Sequence, residues 1–179
     1  MINDYEATTP IVPQGDLNSE TTTPTNDEVI STLNGLIQTC KDGQLGFKTA
    51  SEGVERSDLK TTFYELSQQR SEFTGVLQEL VRSLGGDPEN SGSISGAMHR
   101  GWIDIKSAVT GQSEEAILNE AERGEDYAKE AYEAAAKQNL PANVADVIAQ
   151  QAQAVQAAHN RVRALRNAES GKAATPSTF

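Results

Sequence analysis

Apolar residues recur at alternating steps of three and four along four separate stretches of the chain, and each stretch predicts one amphipathic helix. The first carries Ile30, Leu33, Ile37, Cys40, Gln44, Phe47, Ser51 and Val54, with Gln44 and Ser51 as polar interruptions. It opens at Thr25-Asn26-Asp27-Glu28, a Thr-x-x-Glu capping box whose acidic residues also suit the positive end of the helix dipole. The second stripe runs Leu59, Phe63, Leu66, Arg70, Phe73, Leu77, Leu80 and Leu84 before Gly85-Gly86-Asp87-Pro88. Glycine followed by proline stops a helix. Only Arg70 interrupts that stripe.

The third stretch opens at Ser113-Glu114-Glu115 and presents a narrow line of small residues: Ile117, Ala121, Gly124, Ala128, Ala131 and Ala135. The fourth begins at Pro141, whose missing donor is harmless in a first turn. It continues through Val144, Ile148, Gln151, Val155, Ala158, Val162 and Leu165, with Arg161, Arg163 and Arg166 near its carboxyl end. The predicted helices span 27–54, 58–84, 113–138 and 141–166. Alternating strand patterns bounded by turn residues are lacking, so the expected class is all-α.

Short links at 55–57 and 139–141 imply two antiparallel helix pairs. Residues 85–112 are long enough to cross the whole assembly, which makes the second and third helices parallel. An amphipathic stretch from Met98 to Val109 predicts a short helix inside that crossover, with His99 and Trp102 as its anchors. The expected architecture is therefore a four-helix bundle with one long crossover. Residues 1–26, rich in threonine and proline, and 167–179 contain too few large apolar groups to offset the entropy of ordering. They are expected to be a disordered acidic leader and a flexible tail.

Charge narrows the function. The 179 residues hold 26 Asp and Glu against 15 Lys and Arg, a formal net charge of -11. Phosphate recognition draws on clustered basic residues, so neither a nucleic acid nor an anionic membrane is an expected partner. No apolar run is long enough to span a bilayer. The start Met1-Ile2-Asn3-Asp4-Tyr5-Glu6 lacks the basic and apolar regions of an export signal, so the expected location is cytoplasmic. One cysteine, Cys40, excludes an intramolecular disulfide, and two histidines leave little for a His/Cys metal cluster. Cys40 sits on the first stripe, where it reads as a small buried hydrophobe.

A set of short motifs points further. Asp42-Gly43-Gln44-x-Gly46-Phe47, Gln69-Arg70-x-x-Phe73, Leu84-Gly85-Gly86-Asp87-Pro88, His99-Arg100-Gly101-Trp102, Glu122-Arg123-Gly124-Glu125 and Leu140-Pro141 occur in that order. Together they resemble the bacterial ferritin-like four-helix-bundle family of unknown function, a group of small acidic cytoplasmic proteins. The resemblance covers roughly residues 27–166 and implies a ferritin-like bundle without supplying a reaction.

Di-iron bundles of this shape use one Glu from each of two helices and a Glu-x-x-His pair from each of the other two. Aligning levels along the four helices brings Glu65, Glu122 and His159 closest to that arrangement. Both motifs are incomplete: Glu65-x-x-Gln68 has glutamine for histidine, and Gln156-x-x-His159 has glutamine for glutamate. The expectation is accordingly no metal and no cofactor, with iron or manganese on Glu65, Glu122 and His159 as the alternative. The same alignment brings Gln44, Arg70, Glu125 and Gln151 or Gln153 near one another at mid-height. These residues predict a buried polar layer in which Arg70 and Glu125 need each other, because an unpaired buried charge is costly. Nucleotide-binding glycine loops, a His-Glu-x-x-His helix and a Gly-x-Ser-x-Gly elbow are all missing from the sequence. The functional expectation is a non-catalytic interaction or stress-related structural protein, a possible homo-oligomer whose protein partner is unknown. The alternative is a di-metal-binding ferritin-like oxidoreductase or iron-handling protein.

Overall fold

The computed structural model describes residues 24–88, 105–111 and 113–173. Among these there are five helices and no strands: α1 Asn26–Gly53, α2 Ser57–Ser83, α3 Ile105–Thr110, α4 Glu114–Ala136 and α5 Ala142–Ala173.

Local chemistry sets the helix ends. The Glu28 amide donates to Thr25 Oγ1 at 3.3 Å while the Thr25 amide donates to a Glu28 carboxylate oxygen at 2.8 Å, which completes the capping box. At the far end of α2, Gly85 takes φ of 81°. Its amide donates to the Arg82 carbonyl at 3.0 Å, and the Gly86 amide to the Val81 carbonyl at 2.9 Å. This is a Schellman ending, in which the left-handed residue carries no Cβ. Ser113 caps α4 by accepting from the Ala116 amide. Pro141 lies just ahead of α5 and offers its carbonyl to the Ala145 amide at 2.9 Å.

α1 packs on α2 and on α4, α4 packs on α5, and α2 meets α5 over a smaller area. Side-chain contacts give the directions. Thr32 near the start of α1 donates to Gln138 just past the end of α4. Glu114 at the start of α4 accepts from the backbone amides of Glu55 and Arg56, just past the end of α1, at 2.9 Å each. α1 and α4 are therefore antiparallel, as are α1 and α2, and α2 runs parallel to α4. The short α3 packs against α1 and α4. It comes so close that a Cβ on Gly53 would stand 2.3 Å from a Val109 methyl. At the other end of the connection, a Cβ on Gly86 would stand 2.8 Å from Ile30, and Asn34 donates to the Asp87 carbonyl at 3.2 Å. Residues 89–104, which include His99 and Trp102, lie outside the described residues.

Two apolar clusters fill the interior. One gathers Val29, Leu33, Leu77, Val81, Tyr132, Val144 and Ile148. The other gathers Phe47, Leu59, Phe63, Ile105, Ile117, Leu118 and Val162. The buried faces differ from the predicted stripes in an instructive way. On α1 the interior takes Gly43 and Ala50, while Gln44 and Ser51 are only half-buried. A helix packed on two neighbours buries a wider face than one heptad line, and α1 is turned so that α4 as well as α2 is covered. On α4 the buried face includes Leu118 and Tyr132, so it is bulkier than the predicted line of small residues. α5 continues to Ala173, past the expected end at residue 166. Ion pairs tie this end of α5 to the rest of the molecule: Arg166 pairs with Glu122 of α4, and Glu169, in the extra turns, with Arg56 of the link between α1 and α2.

Candidate functional site

Between the two apolar clusters α2 and α4 each contribute one charged residue. Arg70 and Glu125 are both 1% exposed. Arg70 Nη2 donates to both Glu125 carboxylate oxygens, at 2.6 and 2.8 Å. Nη1 donates to the side-chain oxygen of its neighbour Gln69 at 2.9 Å. Nε, also buried, has no hydrogen-bond partner among the described residues. Phe47 and Phe73 stand around the guanidinium with ring centroids 5.9 and 5.6 Å away, within cation–π range. The long stem passes beside Gly43, where a Cβ would lie in ordinary van der Waals contact with Arg70 Cγ, at 3.4 Å.

The electrostatics of the pair are asymmetric. Burial pulls the Arg70 guanidinium down, but the charge and hydrogen bonds of Glu125, joined by Cys40 and Tyr132, together more than offset it, so Arg70 remains a cation. Burial pushes the Glu125 carboxyl above the usual glutamate range, and Arg70 and His159 only partly counter it. The geometry accounts for this difference. Both carboxylate oxygens share a single nitrogen instead of forking across two, so the carboxylate recovers less than the best bidentate arrangement offers.

A second buried polar chain lies alongside. Tyr132 Oη donates to Gln151 Oε1 at 2.6 Å and lies 3.1 Å from Cys40 Sγ. Since the phenol hydrogen goes to Gln151, the thiol hydrogen goes to the phenol oxygen. Burial pushes the Cys40 thiol up to about 11, with the Arg70 charge pulling the other way, and burial also raises the Tyr132 phenol. A protonated buried thiol is a poor nucleophile. This arrangement holds helices in register and presents no ionised attacking group.

The predicted polar layer is therefore divided. Arg70 and Glu125 meet directly. Gln151 is buried but bonds Tyr132, and Gln153 is exposed. Gln44 is half-buried and, among the described residues, contributes its backbone carbonyl to the Ser67 hydroxyl at 3.0 Å. Gln69 and Tyr132 take the places expected for those amides. Neither is marked in the sequence as a member of the layer: Gln69 belongs to the Gln69-Arg70-x-x-Phe73 motif but lies on no apolar stripe, and Tyr132 falls one position beyond the alanine line.

The three candidate metal ligands lie with three different partners. Glu65, 53% exposed, accepts from Arg161 at 2.8 Å. Glu122 accepts from Arg166 Nε and Nη2 at 2.6 and 2.9 Å. His159 Nε2 lies 2.8 Å from Asp126 Oδ1, and Nδ1 lies 3.4 Å from Asn160 Oδ1. Among the described residues no group of three or more His, Cys, Asp and Glu is placed to hold a metal ion. The donors present do not fit a di-metal centre: the interior mid-level carries a guanidinium, and cationic arginines occupy the two glutamates. No helix among the described residues is long and apolar enough to cross a membrane.

No curated protein matches the chain in sequence. The family model described as Domain of unknown function (DUF2383) matches residues 28–138, from the first turn of α1 to just past the end of α4. That stretch is more than half of the chain and contains both members of the buried ion pair, and the chain belongs to this family.

Proposed function

We propose that this protein is a non-catalytic, ferritin-like helical bundle of the cytoplasm that acts through its surfaces, as an interaction or stress-related structural protein able to self-associate. The observation that carries this reading is the destination of each polar side chain at mid-height. Arg70 is spent on Glu125, Tyr132 on Gln151, Glu65 on Arg161 and Glu122 on Arg166. A catalytic or metal-loaded bundle needs several donors converging on one point with open valences. Here those donors diverge into separate pairs. The architecture of four long helices with parallel α2 and α4 supports the ferritin-like part of the reading, because parallel second and third helices require a long crossover.

The rival is a di-metal oxidoreductase or iron-handling bundle on Glu65, Glu122 and His159. Elemental analysis of protein purified without a histidine tag decides between the two. The expected result is no stoichiometric iron or manganese, before or after incubation with either ion. Stoichiometric metal that disappears in His159→Ala overturns the proposal.

A further inference from the structure

α2 has a second periodic line on the side away from the core. Thr61, Tyr64, Gln68, Ser71, Gly75, Gln78 and Arg82 fall on alternating steps of three and four, and all but the half-buried Ser71 and Gln78 are exposed. Two features of this line have no use within one copy of the chain. Tyr64 is 60% exposed, and the neighbouring Val76 is 46% exposed. Gly75 sits mid-helix with nothing within 4 Å of where its Cβ would be. An exposed glycine inside a helix weakens it relative to alanine, and here no close neighbour within the chain requires it.

Glycine in a helix face lets a second helix approach closely, and an aromatic ring needs a shallow place to lie. On α2 the two features are about 16 Å apart along one face. In an antiparallel pair of α2 helices related by a two-fold axis, Tyr64 of each copy comes level with Gly75 of the other. The same register sets Gln68 level with Ser71, a hydrogen-bonding pair. It also sets Lys60 level with Glu79. Lys60 has no ion-pair partner among the described residues, and Glu79 is 75% exposed beside Arg82. The face is thus complementary to itself in shape, in hydrogen bonding and in one charge pair, as an isologous contact requires. Leu45, 62% exposed, adds apolar surface near this level, since it follows Gln44, whose carbonyl is bonded to Ser67 of α2.

We propose that the outer face of α2 is a homodimer interface in which Tyr64 of each copy lies over Gly75 of the other. This rests on the reading that the protein acts through its surfaces, and it names both the surface and the partner, a second copy of this chain. A single helix face is small beside the roughly 1,000 Å² that a stable dimer buries, so the association is weak and concentration-dependent.

Sedimentation velocity of the full chain across a concentration series tests the interface. The wild type is expected to pass from monomer to dimer as concentration rises. Gly75→Leu fills open space in the monomer and should keep or raise the melting temperature, yet weaken dimerisation about tenfold or more, as loss of a central contact does. Tyr64→Ser should weaken it as well. Lys60→Glu alone should weaken the dimer, and Lys60→Glu with Glu79→Lys should restore it. A wild type that stays monomeric overturns the proposal, as does a dimer indifferent to Gly75→Leu and Tyr64→Ser, because another face then carries the contact. Stoichiometric metal in the same preparation would strike the functional reading and leave this interface standing.

Discussion

Arg70 and Glu125 show how much one buried pair can demand of its surroundings. Each charge has given up water, and each relies on the other for most of what replaces it. Removing one partner of such a pair costs about 3–5 kcal/mol, because it strands the other charge, whereas replacing both by well-packed apolar groups is often neutral or stabilising. Arg70→Ala is therefore expected to lower the urea midpoint far more than Arg56→Ala, since Arg56 meets Asp58 and Glu169 at a partly exposed position. The combination Arg70→Met with Glu125→Leu should recover most of that loss, and equal midpoints for Arg70→Ala and Arg56→Ala would rule out the buried-pair account. The pair also sets a pH dependence. Burial holds the Glu125 carboxyl above the ordinary value of 4.5, so the folded chain binds this proton more tightly than the unfolded chain does. Its contribution to stability is full below the unfolded value and is lost as pH rises through the folded one. Glu125→Gln cannot titrate. Unfolding free energies measured from about pH 4 to about pH 8 should fall less steeply for this variant than for the wild type, and a steeper fall contradicts the assignment.

At the scale of the element, helix ends were the most legible part of the chain. Thr25 and Glu28, Ser113, Gly85 and Pro141 act on backbone groups within a few residues of themselves, so their effect can be read without knowing what lies across the interior. Helix faces were less legible. Gln44 and Ser51 fit a heptad line, but Gly43 and Ala50 are the buried positions, because α1 has neighbours on two sides. Glycines carry the same lesson, since their meaning depends on what is opposite. Gly53→Ala would drive a methyl into Val109 of α3 and should cost about 1–3 kcal/mol, the usual penalty for overpacking. Gly75→Ala meets open space and should stabilise α2 by about 1 kcal/mol. Thermal denaturation of the two variants should move in opposite directions, and a shift of the same sign in both would show that the α1–α3 contact does not form.

For the whole molecule, long-range polar contacts tie the helices into one register. Glu114 is the clearest example, since its carboxylate joins the start of α4 to the link between α1 and α2. In Glu114→Ala the amides of Glu55 and Arg56 lose their acceptor, so their hydrogen exchange should accelerate while amides in the middle of α1 and α2 keep wild-type rates. Unchanged exchange at those two positions would mean that the tie is absent in solution. The sequence by itself determined the helical class, the approximate spans of the helices and their reversals of direction, because periodicity, caps, glycine and proline act between residues that are close along the chain. It also marked Arg70 and Glu125 as charges needing a partner, from their positions on or beside apolar stripes. Only the tertiary structure decided which polar groups meet: Glu125 and Gln69 with Arg70, Tyr132 between Cys40 and Gln151, Asp126 with His159. Those choices depend on how each helix is rotated and slid against its neighbours. A step of one residue turns a side chain by about 100°, which is enough to move it from one partner to another.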